Sequence, residues 1–370
     1  MKPTYSSLLC LSLCAPLLLT ACDPPEEKGD GNPSDAAVDD TSGDAGTPGD
    51  PGQQSHSTDP SQAGDGADEG QDDDAKWNTS VTIPPCDSAA AVEVLHQHAV
   101  TTHGMDLIGD SIYFASNDGL FSLPKGAPAE PTKVVDQKNL IQVKGFGNDL
   151  WFADAISSDH LTISTGTITQ GAGRSELARD GSTVYTWDTI NFDCANRGSS
   201  VHILHQDNAS ADDYVEFQCV GSAVERAGKY YAVDYAGDGY RVMSAVAGGE
   251  SKDAKQLASA DNLDNFMAAT DGNVYVSVGR DLISSYLGRV PVAGGNIELL
   301  AGDFVVNGMF GNGSSVFVSD QKNHCLYRYD EAKGSLQAFG KVSTVEAMAF
   351  DDQYAYVATF GGTIGRIPLK

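Results

Sequence analysis

Seven aromatic residues, Tyr113, Trp151, Tyr185, Tyr231, Tyr275, Phe317 and Tyr356, recur at intervals of 34 to 46 residues. Ten residues ahead of them stand His103, Ile141, Ser175, Gly221, Asn265, Asn307 and Glu346. Of these, His103, Asn265, Asn307 and Glu346 bring imidazole, amide and carboxyl groups. Oxygens from separate elements are what a hard cation such as calcium takes, six or more at a time. An imidazole beside them would accept a proton. The column contains a single carboxylate and no second acid to act as base, so a polar rim with hydrated groups describes it better.

Other constellations carry less. His96 and His98, in "HQH", have the i, i+2 spacing that puts both rings on one face of a strand. A zinc site needs a third ligand and supporting hydrogen bonds, so the pair is expected to be solvated on an outer strand. "SLPK" (122–125) and "SDQK" (319–322) match SxxK but lie at strand ends, without a helix to orient the lysine. "DNLDN" and "DYAGDG" offer oxygens without a complete calcium geometry, and Asp and Gly there make turns. GxSxG, HExxH, Walker A and CxxC motifs are absent from the sequence.

The elements that position these residues follow from the aromatic spacing. Each aromatic stands second in a short apolar run ("IYFA", "LWFA", "VYTW", "YYAV", "VYVS", "VFVS", "AYVA"), and most runs follow a Gly, Asp or Asn turn. A turn and a β-rich run every 40 or so residues is the period of a four-stranded propeller blade. Eight residues before each aromatic come Met105, Val143, Leu177, Ala223, Met267, Met309 and Met348. Four methionines in one column suit adaptable filling between wedge-shaped blades. The expected fold is all-β, a seven-bladed propeller, with six or eight blades as alternatives.

The last blade is short of a strand. "GRVPVAGGNIELLAG" (288–302) is a full third-strand, turn and fourth-strand phrase, whereas "GRIPLK" (365–370) stops after the third strand. The missing part is at the other end: Val92-Glu93-Val94-Leu95 parallels Ile297-Glu298-Leu299-Leu300. The N-terminal strand is therefore expected to add to the last blade as its outermost strand and close the ring. These phrases, with "DGYRVMSAVAGGESKDAKQLASA" and "DGNVYVSVGRD", resemble the repeats of bacterial YWTD- or NHL-like β-propellers. The resemblance implies an architecture and no particular chemistry. The polar column is also similar in residue type to the calcium site of gluconolactonase-like propellers. That implies Asn265, Asn307 and Glu346 as calcium ligands, with His103 as proton acceptor.

Ahead of the repeats, Lys2 and the apolar "SLLCLSLCAPLLL" form a leader too short to span a bilayer permanently. It ends in "LTAC" (19–22), which resembles a bacterial lipobox and implies cleavage after residue 21 and lipidation of Cys22. Residues 23–75 hold 16 acids, one Lys and no aromatic residue, a net −15. Such a stretch cannot bury enough apolar surface to fold, and as a coil it spans about 40 Å. The expected organisation is leader 1–21, acidic tether 22–75 and propeller 76–370. The propeller segment itself carries −14 and no basic block, which argues against nucleic acid as a partner. "NTS" at Asn78 would be a glycan acceptor only in a eukaryotic secretory route.

Beyond Cys22, the exported chain keeps Cys86, Cys194, Cys219 and Cys325. An even number suggests disulfides. Of three connectivities, Cys194 with Cys219 is favoured because both lie in one repeat, which leaves Cys86 with Cys325. Taken together, the sequence predicts a lipid-anchored binding module of the bacterial envelope, at the outer membrane or cell surface. Its expected partner is a protein or glycan met through loops on a rigid ring. No cofactor is required by this reading. The alternative is a calcium-dependent hydrolase or lactonase working at the mouth formed by His103, Asn265, Asn307 and Glu346.

Overall fold

The computed structural model describes residues 77, 79–171, 176–181, 183–187, 199–204, 214–217, 219–235, 237, 239–246, 253–280 and 284–370. The leader, the tether, Cys22, Asn78, Ser175 and Cys194 lie outside these residues. The described residues form seven sheets, six of four strands and one of five. Blade 1 comprises Thr102–Ile108, Ser111–Ser116, Gly119–Pro124 and Thr132–Val135, from the innermost strand outward. Blade 2 comprises Gln142–Phe146, Asp149–Ala153, Ser158–Thr162 and Thr167–Gln170. Blade 3 comprises Glu176–Asp180, Thr183–Trp187, Ser199–Leu204 and Tyr214–Phe217. Blade 4 comprises Val220–Arg226, Lys229–Tyr235, Tyr240–Val246 and Lys255–Ala260.

Blade 5 comprises Met267–Ala269, Asn273–Gly279, Ser285–Pro291 and Glu298–Phe304. Blade 6 comprises Val306–Asn312, Ser315–Asp320, Cys325–Asp330 and Ser335–Lys341, with Ala90–Ala91 added parallel to its outer strand. Blade 7 comprises Val345–Phe350, Tyr354–Thr359 and Thr363–Pro368, completed by Glu93–Gln97. Each innermost strand touches the next, and that of blade 7 touches that of blade 1, so the ring is closed. This is a β-propeller.

The seven aromatics all lie on second strands, and all are buried. A second strand has neighbouring blades on both faces, so Ser315–Asp320 is buried throughout and reads as a continuous run. The outer strand Thr167–Gln170 of blade 2 is exposed throughout. The column Met105, Val143, Leu177, Ala223, Met267, Met309 and Met348 sits on innermost strands and is buried at every position. The core lies between blades: Phe317 and Leu326 of blade 6 pack with Met348, Val357 and Ile367 of blade 7. Leu95 and Tyr356 of blade 7 pack in turn with Met105 and Phe114 of blade 1.

Closure reproduces an internal blade in atomic detail. In blade 5, Arg289 stands opposite Glu298, and its Nη2 lies 2.5 Å from Glu298 Oε2. In blade 7, Arg366 stands opposite Glu93, and Nε and Nη2 each donate to its carboxylate at 2.8 Å. The glycine before each arginine makes room for the β-branched residue before each glutamate. A Cβ at Gly288 would come 2.7 Å from Ile297 Cγ2, and one at Gly365 would overlap Val92 Cγ1. Exposed ion pairs add little stability, so these chiefly fix register.

The N-terminal segment does more than the sequence suggested. Trp77 packs on Tyr286 of blade 5 with ring centroids 4.9 Å apart, and Val81 N–H donates to Leu300 O at 2.7 Å. Cys86 is then bonded to Cys325 of blade 6, 239 residues away. Cys219 is also disulfide-bonded. Trp77 and residues 79–91 thus run along the outer two strands of blades 5 and 6 before Glu93–Gln97 completes blade 7.

Candidate functional site

Three of the four polar candidates map to one structural device. The pairing of innermost and second strands slips between Thr102 and Met105, Val220 and Ser222, Val306 and Gly308, and Val345 and Ala347. His103, Gly221, Asn307 and Glu346 fall in these β-bulges, where a residue is left out of the ladder and its side chain re-aimed. The bulges occupy the first residues of innermost strands that all start at the same end of the central channel. Blade 2 lacks a bulge, and its Ile141 N–H instead pairs with Ala153 O at 2.8 Å.

The four candidates differ in what already engages them. His103 Nε2 contacts Asn117 Oδ1 at 3.2 Å, and burial holds its pKa below the usual imidazole value despite that hydrogen bond. Asn265 precedes the innermost strand of blade 5 and fills, with its Oδ1, the space a Cβ at Gly221 would need. Asn307 links blades 6 and 7: Nδ2 donates to Val345 O at 3.3 Å, and Oδ1 accepts from Ser319 Oγ at 2.8 Å. Ser319 Oγ in turn accepts from Val345 N–H at 3.0 Å. No hydrogen bond or ion pair reaches Glu346 among the described residues, and burial raises its carboxyl pKa to about 7. The structure therefore places the four on one rim but joins none directly to another.

His98 departs from the expectation of a solvated side chain. It lies just past the closing strand, buried edge-on against Phe114 and Phe121 of blade 1. Ser116 Oγ at 3.2 Å and Asp118 Oδ1 at 2.9 Å both meet its Nε2. In a nucleophilic triad the serine and the acid engage opposite ring nitrogens. Here they share one, and the hydroxyl also donates to Asp118 at 2.5 Å. The cluster ties the chain from Gln97 to Thr102 onto blade 1. His96 and His98 stand with ring centroids 5.7 Å apart. No group of three or more His, Cys, Asp or Glu side chains is placed to hold a metal ion among the described residues.

No family model matches the chain, and no curated protein matches it by sequence. Solved structures share its fold. The extracellular domain of BT4673 from B. thetaiotaomicron matches with a TM-score of 0.55 and 12% identity over 76% of this chain and 40% of that one. PorZ of Porphyromonas gingivalis, an essential bacterial surface component of the type-IX secretion system, matches with a TM-score of 0.55 and 12% identity. That match covers 75% of this chain and 38% of PorZ. YCF48 from Cyanidioschyzon merolae matches with a TM-score of 0.53 and 10% identity over 75% of this chain and 99% of its own. The chain thus spans about two-fifths of the first two and nearly all of the third.

Proposed function

We propose that this chain is a lipid-anchored module of the bacterial envelope, facing outward, that binds a protein or glycan at the channel mouth ringed by His103, Asn265, Asn307 and Glu346. The observation that carries the reading is the rigidity of that rim. Asn307 braces blade 6 to blade 7, Asn265 fills blade 4, and His103 is held by Asn117, all on a ring stapled shut by Cys86–Cys325. Fixed polar groups on a rigid scaffold lose little entropy on binding. The "LTAC" leader and acidic tether support attachment through Cys22, and a disulfide suits an oxidising compartment. PorZ, described as a surface component, shows the same architecture in such a setting.

The reading is tested by photo-crosslinking in intact cells. Lys138 and Ser343 are exposed on the loops that enter the innermost strands of blades 2 and 7. Crosslinkers there are expected to give one discrete adduct, and a crosslinker at Thr169 on the outer strand of blade 2 none. Adducts absent from both loops, or equally abundant at Thr169, would contradict it.

One observation favours the second reading, a calcium-dependent hydrolase or lactonase: Glu346 is a carboxyl on a bulge with no hydrogen bond or ion pair among the described residues. The remaining ligands fit poorly. Asn307 Oδ1 is already used by Ser319 Oγ, and calcium asks for six or more oxygens.

A further inference from the structure

The far end of the channel gathers basic side chains. At the C-terminal ends of the innermost strands a cleft of about 290 Å³ opens, lined by Asp106, Lys144, Arg179, Arg226, Gly311 and Asn312 among others. Asp106 of blade 1 is buried and fully engaged. Arg179 of blade 3 grips it with Nε at 2.6 Å and Nη2 at 2.7 Å. The N–H groups of Leu107 at 2.8 Å and Gly145 at 2.9 Å take one further position on each oxygen. A carboxylate offers about four acceptor positions, so none is left for a second cation.

Lys144 of blade 2 is that second cation. Its Nζ donates to Met105 O at 3.1 Å, and no carboxylate lies within ion-pair distance of it among the described residues. Burial lowers its pKa, against the pull of Asp106. An ammonium has three donors, and a charge removed from water is costly without a counter-charge. Lys144 lines a cleft whose walls also carry two guanidinium groups from blades 3 and 4. The cleft is at the small end of the range for ligand sites.

We propose that this cleft binds a small oxyanion, a carboxylate or phosphate group on a compact molecule, with Lys144 as its counter-charge. It lies at the other end of the channel from the rim described above and does not depend on that rim's function. The bound anion takes hydrogen bonds from the two donors that Met105 leaves over, and the Asp106–Arg179 pair holds the wall in place.

The experiment is calorimetry on the full-length protein at fixed ionic strength, with succinate and inorganic phosphate as separate titrants. At least one is expected to bind, and the preferred titrant identifies which oxyanion the site takes. In Lys144→Met, affinity for it should fall at least tenfold. Lys144→Arg, which keeps the charge, should stay within about fivefold. Should Lys144→Met not fold, amine acylation of the wild type, read by mass spectrometry, answers the same question. The binding anion should slow labelling of Lys144 at least threefold relative to exposed Lys138. The proposal is overturned if neither anion binds the wild type, if Lys144→Met binds as well as wild type, or if labelling is unaffected.

Discussion

The two ends of the channel pose the same electrostatic problem and meet it differently. At one end Glu346 sits in a bulge with no hydrogen-bond or ion-pair partner among the described residues, and burial raises its carboxyl pKa to about 7. At the other, Asp106 is buried and has a bidentate arginine and two backbone N–H groups. The difference is one of supply. Innermost strands of blades 1, 2 and 3 bring Lys144 and Arg179 to the Asp106 end, whereas the Glu346 end offers an amide pair and a desolvated histidine. A carboxyl with a neutral option remains available for recognition, while one locked by a guanidinium is part of the frame.

The contrast can be broken most severely at Asp106. Asp106→Asn removes the anion that Arg179 was placed to meet, and losing one partner of such a pair costs about 3–5 kcal/mol. Chemical denaturation should show a loss of that size. Reduction of Cys86–Cys325 removes a 239-residue cross-link, and the chain-entropy model places the loss at about 5 kcal/mol or less. It should unfasten the strap and leave the channel-end pairs themselves untouched. A thermal melt of Cys86→Ser beside wild type measures this, since reductant would also open the disulfide at Cys219.

Glu346 should respond with the opposite sign to Asp106. Its folded pKa, about 7, is above the unfolded value of 4.5. The folded state therefore binds the proton more tightly, and the stability this gives is complete below about pH 4.5 and lost as pH rises through 7. Glu346→Gln should then be more stable than wild type at pH 8, by roughly 1–3 kcal/mol, and the gap should close on acidification. A flat difference between pH 5 and pH 8 would show that the carboxyl is solvated. Smaller still is Asn307→Ala, which removes one hydrogen bond from blade 6 to blade 7 and one within blade 6 and should cost about 1–2 kcal/mol at any pH.

The legible parts of the fold were those the repeat writes more than once. The aromatic column could be read because every second strand meets the same two-sided burial. The closing strand could be read because Glu93 and Arg366 restate Glu298 and Arg289. The strap from Trp77 to Ala91 occurs once and had no second copy to match against. Its contacts with Tyr286, Leu300 and Gly340 are all long-range. The polar column was legible as a set of positions because bulges recur at strand starts. Its wiring was not, since Asn307 finds Ser319 on the next strand and Val345 on the next blade. The burial of His98 depends on Phe114 and Phe121, and nothing in "HQH" announces them. The Asp106–Arg179 fork joins residues 73 apart, and Lys144 belongs to no motif.

The central claim is that the Glu346 mouth recognises a partner as a rigid polar rim and does not work through a bound cation. The most direct test is a thermal melt of the full-length protein at pH 7.5, first in chelator and then in millimolar calcium, for wild type and Glu346→Gln. A ligand at a hundred times its Kd adds about 2.7 kcal/mol, several degrees in the midpoint for a domain of this size. The account predicts that each protein's midpoint changes by less than a degree between the two buffers, with Glu346→Gln the higher in both. A shift of several degrees in wild type, lost in Glu346→Gln, would contradict it and put a calcium ion at the mouth.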